Sequence, residues 1–106
     1  MTNRVVITGV GAYSPIGNDW ATIEANLRAL KSGVCHMPEW DEYDGLDTKL
    51  GAPVTDFELP ASFTRKRTRS MGRVAMLATA ASEHALEDAG YLQRSFDAKR
   101  AEIILG

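Results

Sequence analysis

The sequence has a single cysteine, Cys35, among its 106 residues. One thiol cannot build an internal disulfide framework, and it leaves no CxxC pair to hold a metal. No apolar run approaches the roughly 20 residues that a membrane-spanning helix needs. The apolar run that follows the first four residues is also too short for a secretory signal peptide. These absences predict a cytoplasmic protein, kept in a reducing compartment.

The sequence also lacks a strong excess of charge of either sign. The 12 Lys and Arg residues stand against 14 Asp and Glu residues, a formal net charge of −2. Such a balance does not favour a nucleic acid or a membrane surface as partner. The length suffices for one small domain and is too short for two.

The N-terminal third has the pattern of a strand, a loop and a helix. The β-branched run at residues 5–8 is typical of a strand buried on both faces of a parallel sheet. A glycine-rich loop, Gly9–Gly17, follows. We expect Asn18 to cap a helix that ends at Ser32–Gly33. Its apolar positions recur at helical spacing, at Trp20, Ile23, Leu27 and Leu30.

Residues 34–60 have little periodicity and predict a surface loop with a short strand near Gly51–Val54. This acidic segment contains one base and seven acids, namely Glu39, Asp41, Glu42, Asp44, Asp47, Asp56 and Glu58. The charge then inverts, because the basic run Thr64–Arg73 contains no acid. Its five bases are Arg65, Lys66, Arg67, Arg69 and Arg73.

An alanine-rich helix is predicted from about Ser70 to Ala89, ended by Gly90, and a final strand at Glu102–Leu105. The order strand, helix, excursion, helix, strand indicates an α/β fold with a parallel strand pair. Because a central strand needs neighbours to cover it, we expect residues 1–106 to be the N-terminal portion of a longer protein.

The glycines near the N-terminus raise the possibility of a dinucleotide site. That site needs GxGxxG after a strand. Gly9 and Gly11 supply the first half, but Ser14 stands where the third glycine belongs and Gly17 comes three residues late. The spacing therefore favours these glycines as turn residues between a strand and a helix over a nucleotide-dependent oxidoreductase.

The string "VVITGVGAYSPIGN" resembles the opening of β-ketoacyl-acyl carrier protein synthases, and the similarity continues through "LRALKSGV", "RKRTRSMGR" and "ASEHALEDAGY". The resemblance implies the N-terminal part of the first half of a thiolase-like α/β fold, within a homodimer or a heterodimer of related subunits. It implies a decarboxylative Claisen condensation of acyl and malonyl thioesters, in fatty-acid or polyketide-type synthesis, with no cofactor. A non-catalytic chain-length partner shares this opening and remains an alternative.

The resemblance also implies that the family's nucleophilic cysteine and two histidines lie beyond Gly106. Cys35 follows a predicted helix end instead of beginning a helix, and its neighbour His36 points the opposite way in an extended segment. We therefore expect Cys35 to be a packing or neutral residue. His84 is expected to be an ordinary helical histidine. Glu87 could join it as a second metal ligand, but no third ligand presents itself. No catalytic or metal-binding residue is assigned in this chain.

The resemblance implies one functional surface within the chain. In related synthases, bases just before the second helix help to dock the acidic acyl carrier protein. The match places Lys66 and Arg69 at those positions, with Arg65 and Arg67 nearby, while Ser70 stands where a further base is common. Positive charge there would steer an acidic carrier. The alternative is that the acidic segment neutralises these bases internally.

The isolated 106-residue chain is expected to show no condensing activity, because the implied nucleophile and histidines lie outside it. The measurement is carbon dioxide release from malonyl-carrier protein in the presence of acyl-carrier protein. A complete synthase serves as the positive control. Turnover by the isolated chain above the enzyme-free background would contradict this expectation.

Overall fold

The computed structural model describes residues 3–91. In chain order, the elements are helix α1 (Trp20–Arg28), strand β1 (Cys35–His36), a 3₁₀ turn (Pro38–Trp40), strand β2 (Leu50–Gly51), and helices α2 (Arg65–Thr68) and α3 (Arg73–Asp88). The two strands pair antiparallel, with Cys35 opposite Gly51 and His36 opposite Leu50. The predicted strand at Glu102–Leu105 lies outside the described residues.

Helix α1 begins one residue later than the sequence predicts. Its cap is Asp19, whose carboxylate accepts hydrogen bonds from the Thr22 amide at 2.8 Å and the Thr22 hydroxyl at 2.9 Å. These bonds lower the pKa of the Asp19 carboxyl, the backbone bond most of all. The predicted cap, Asn18, is wrong: its side-chain amide donates to the Asp56 carbonyl instead. The cap of α1 therefore lies one position later than predicted, while Asn18 contacts the acidic segment.

The end of α1 also differs from the prediction, because the helix stops at Arg28 rather than near Ser32. Leu30 adopts a left-handed conformation with φ of 56°. The Lys31 amide donates to Asn26 and the Leu30 amide to Leu27, at 2.9 and 3.1 Å. This double hydrogen-bond pattern is a Schellman ending, for which glycine is the usual left-handed residue. A leucine thus occupies a backbone conformation that strains a side chain.

Helix α3 confirms the alanine-rich helix, although it begins at Arg73 after a cap at Gly72 instead of at Ser70. Gly90 ends it as predicted, with φ of 79°, and its amide donates to the Glu87 carbonyl. Ala80 is fully buried. Alanine at such a position lets neighbouring segments approach the helix closely.

The structure assigns no strand to residues 5–8, so that prediction is wrong for the described part of the chain. Val5 and Ile7 are 91% and 88% exposed. A strand requires a hydrogen-bonding neighbour, and residues 3–91 provide none for this run. In the acidic segment, the predicted strand near Gly51–Val54 is shorter and shifted, and it pairs with a strand at Cys35–His36 that the sequence did not indicate.

Three hydrophobic side chains are buried within residues 3–91, namely Ile23 of α1, Phe63 before α2, and Ala80 of α3. The small core therefore draws on the two longer helices and the segment that leads into the basic run. No helix in the described part of the chain is long and apolar enough to cross a membrane.

Replacing Leu30 with glycine is expected to stabilise the protein by about 0.5–1 kcal/mol. Glycine removes the left-handed strain of roughly 1–2 kcal/mol, while its greater freedom in the unfolded state offsets part of that gain. Denaturant unfolding measures the difference. The matched control is Ala29→Gly, at a neighbouring position with ordinary helical φ, which should destabilise. A Leu30→Gly protein no more stable than the wild type would contradict the strain at this position.

Candidate functional site

Helix α2 carries three of the five bases of the basic run, has Arg69 as its C-cap, and is supported by local capping. Thr64 is its N-cap, and the Thr64 hydroxyl accepts a hydrogen bond from the Arg67 amide at 3.3 Å. The Thr68 hydroxyl donates back to the Thr64 carbonyl at 3.1 Å. A helix of four residues has little intrinsic stability, so these bonds and its contacts with the rest of the fold determine its place.

Three of the predicted docking bases share one side of α2. Consecutive helical residues are about 100° apart around the axis, so Arg65, Arg69 and Lys66 fall within an arc of roughly 100°. All three are exposed. Within residues 3–91, none of the three forms an ion pair with an acid. The result is an outward-facing cationic surface, which we call the basic surface.

Arg67, the fourth predicted docking base, is held differently. Its guanidinium contacts the Glu83 carboxylate of α3 at 2.7 Å. It also stacks over the ring of buried Phe63, at 4.4 Å from the ring centroid. These contacts join α2 to α3. Glu83 lies 16 positions away in the sequence, and no local signal links the two residues.

Arg73 uses its charge inside the fold. It donates to the Val54 carbonyl and lies 5.7 Å from the Phe57 ring centroid, so it ties α3 to the end of the acidic segment. No ion pair joins the basic run to the acids of residues 39–58 in the described part of the chain. Within residues 3–91, no ion pair therefore supports the alternative that the acidic segment neutralises the basic run.

The glycine loop rests directly on α3. A Cβ added to Gly9 would lie 2.7 Å from the Ala89 nitrogen and would collide with the Ala85 carbonyl. One added to Gly11 would lie 2.7 Å from the Ala85 nitrogen and would collide with the Ala81 carbonyl. The three alanines are four residues apart and form one ridge of the helix. The two glycines are thus required for close packing against α3, a role that the sequence, which favoured turns here, did not indicate.

The rest of the loop is unsuited to an anion. Residues 14–17 form a tight turn in which Ser14 and Gly17 exchange backbone hydrogen bonds at 3.0 and 3.2 Å. A pocket of about 360 Å³ beside the loop includes Asp19 and Asp88 in its lining. The Asp88 carboxylate accepts the Val10 amide at 3.0 Å. Carboxylates at these positions, one of them already capping α1, would repel a pyrophosphate.

Tyr13 joins the loop to both neighbouring segments. Its ring meets Phe57 edge to face with centroids 5.0 Å apart, and its hydroxyl lies 3.3 Å from Nε2 of His84. Burial raises the pKa of the Tyr13 hydroxyl, and the nearby Glu83 carboxylate adds to that effect. His84 is an exposed helical histidine, as expected.

Cys35 and His36 do not form a nucleophile–base pair. They are consecutive residues of β1, so their side chains point to opposite sides. His36 instead contacts the Asp41 carboxylate at 2.9 Å. Cys35 is exposed and is not at a helix start. Residues 3–91 contain no group of three His, Cys, Asp or Glu side chains that could hold a metal ion.

A solved structure resembles this chain closely. The crystal structure of a β-ketoacyl synthase from Burkholderia phymatum superposes with a TM-score of 0.77 and 51% sequence identity. The match covers 85% of this chain and 22% of that one. The protein therefore has the α/β, thiolase-like fold expected from its sequence, represented by the N-terminal part of that fold.

The sequence matches agree with the structural one. Residues 2–106 match the family profile described as "Beta-ketoacyl synthase, N-terminal domain". The chain is 30% identical over 103 residues to 3-oxoacyl-acyl-carrier-protein synthase 2 of Synechocystis sp., and 33% identical over 103 residues to synthase 1 of Haemophilus influenzae. Each match covers 97% of this chain, but 24% and 25% of those relatives. The chain belongs to the β-ketoacyl synthase family and spans about a quarter of the length of these curated relatives.

Replacing Gly9 or Gly11 with alanine is expected to destabilise the protein by about 1–3 kcal/mol, the usual cost of forcing extra atoms into a packed contact. The added methyl would meet helix backbone, which cannot rotate aside as a side chain can. Urea unfolding provides the measurement. Gly45→Ala is the matched control, because no atom lies within 4 Å of the position that its Cβ would take. Equal stability of the Gly11→Ala and Gly45→Ala proteins would contradict the close approach.

Proposed function

We propose that this chain is part of a β-ketoacyl-acyl carrier protein synthase, an acyltransferase that joins acyl and malonyl thioesters by decarboxylative Claisen condensation. The observation that carries this proposal is the match of residues 2–106 to the family's N-terminal domain. The names of the relatives support the same reaction class, since they are 3-oxoacyl-acyl-carrier-protein synthases. Those names favour a condensing synthase of fatty-acid type over a non-catalytic chain-length partner.

In this reaction the acyl chain is first held as a thioester on a cysteine. Decarboxylation of malonyl-carrier protein breaks the bond to its carboxylate and releases carbon dioxide. The electron pair left on the α-carbon attacks the acyl carbonyl, forms the new carbon–carbon bond and expels the cysteine thiolate. Donors aimed at the developing negative charge stabilise such steps. We assign none of these roles to Cys35, His36 or His84.

The contribution that we propose for this chain is to dock the acyl carrier protein. Lys66 and Arg69 are the principal contacts, with Arg65 and Arg67 adding positive charge beside them. Lys66, Arg69 and Arg65 are exposed and have no acidic partner within residues 3–91, which supports this role. A compact positive surface attracts an acidic partner over several ångströms and raises its rate of association more than its final affinity.

The family resemblance further suggests that the complete synthase acts as a dimer, with a second copy or with a related subunit. The single cysteine, which is exposed, suits a reducing cytoplasm. Nucleotide-dependent oxidoreduction is disfavoured, because α3 backbone covers Gly9 and Gly11 where a pyrophosphate would have to approach.

Reversing both principal charges, with Lys66→Glu and Arg69→Glu in the complete synthase, is expected to slow association of acyl carrier protein by roughly tenfold at low salt. The difference should shrink as ionic strength rises, because salt screens exposed charges. Stopped-flow binding or surface plasmon resonance measures the rates. The control protein carries Arg4→Glu and Lys31→Glu, the same change in net charge outside α2. Unchanged carrier binding in the Lys66 and Arg69 variant at low salt would remove the docking proposal.

A further inference from the structure

The four bases of α2 and its C-cap are not equivalent. Arg65, Lys66 and Arg69 lie on one side and have no acidic partner within residues 3–91. Arg67 lies across the helix axis from Arg65 and Arg69, roughly 160° from each. Its guanidinium is occupied by Glu83 and Phe63. A base that faces another helix and is already neutralised is a poor contact for an incoming carrier.

We propose that Arg67 is a positioning residue, which anchors α2 to α3 through Glu83 and so orients the basic surface toward the acyl carrier protein. The inference rests on the proposed docking function and assigns a different task to one of its four bases. Lys66, Arg69 and Arg65 meet the carrier. Arg67 holds the helix that presents them.

The contacts suit an anchor in three respects. Arginine keeps its charge at all physiological pH values, and its flat guanidinium can pair with a carboxylate while it stacks on an aromatic ring. Phe63 is 6% exposed, so the ring beneath the guanidinium is part of the small core. The Arg67 and Glu83 side chains are 39% and 32% exposed, which leaves the pair partly shielded from solvent.

Helix α2 needs such an anchor because of its length. Four residues form one helical turn, which is unstable without tertiary contacts. Its cap holds the local turn but does not connect the turn to α3. The Arg67–Glu83 pair joins the two helices directly. Loss of the pair would let the three presented bases spread over more orientations and lower their joint effect on an acidic partner.

Neutralising Glu83 separates the two roles because they predict opposite signs. If Arg67 were a docking contact, Glu83→Gln would free its charge, remove a repulsive carboxylate and strengthen carrier binding. If Arg67 is the anchor, the same variant weakens binding, by about threefold to tenfold in Kd. The test uses the complete synthase and purified acyl carrier protein, with Kd from titration calorimetry at low salt. Glu87→Gln makes the same charge change one turn further along α3 and is expected to leave Kd unchanged or slightly lower it.

A charge exchange gives a second readout that a simple loss of stability would not reproduce. Arg67→Glu alone is expected to weaken carrier binding, whereas Arg67→Glu combined with Glu83→Arg rebuilds the pair in reverse and restores most of the affinity. Non-additivity of the two changes measures the coupling. Failure of the exchange to restore binding, or stronger binding by the Glu83→Gln protein, would overturn the anchor.

Failure of the anchor proposal and failure of the docking proposal would give different results. If the Lys66→Glu, Arg69→Glu protein binds carrier normally, α2 is not the docking surface. In that case Arg67 and Glu83 would still be coupled in thermal unfolding, but their changes would not alter carrier Kd, and the anchoring role in docking would be lost as well. If the Lys66 and Arg69 changes weaken binding while Glu83→Gln strengthens it, docking stands and the anchor alone is overturned.

Discussion

The described structure depends on the direct contact between the glycine loop and one ridge of α3. Gly9 and Gly11 lie against the backbone at Ala81, Ala85 and Ala89, so close that a single methyl group on either glycine would collide with the helix. Small residues on both sides are required together, because a side chain on either partner would separate them. The Asp88 carboxylate strengthens this contact by accepting the Val10 amide.

Helix α3 connects the glycine loop, the acidic segment and α2. Arg73 at its start holds the end of the acidic segment through Val54, and Glu83 near its middle holds α2 through Arg67. Tyr13 adds a contact between the loop, Phe57 and His84. The basic surface and the glycine loop therefore share one support, although we assign neither of them a reacting group.

Short sequence patterns predict several features of the structure but not those that depend on contacts between distant residues. Ser14 at the place of a third glycine was enough to argue against a dinucleotide site, and Gly90 marked the end of α3. The sequence predicts the cap of α1 one residue too early, and it does not reveal that the Asn18 side chain donates to the Asp56 carbonyl, 38 residues away. The hydrophobic spacing predicts that Leu30 continues the helix, because such spacing does not reveal a left-handed φ. For the candidate site, the sequence predicts the bases but does not indicate that Glu83 is the partner of Arg67.

The sequence by itself determined the family, the two longer helices and the concentration of positive charge at residues 65–73, because these depend on motifs and on neighbours within a few positions. Only the tertiary structure decided what each residue does. It showed that the glycines serve helix packing, that Arg67 and Arg73 have partners within the fold, and that Lys66, Arg65 and Arg69 have no acidic partner within residues 3–91. The physical reason is that ion pairs and close backbone contacts join residues far apart in the chain, and only the folded geometry selects them.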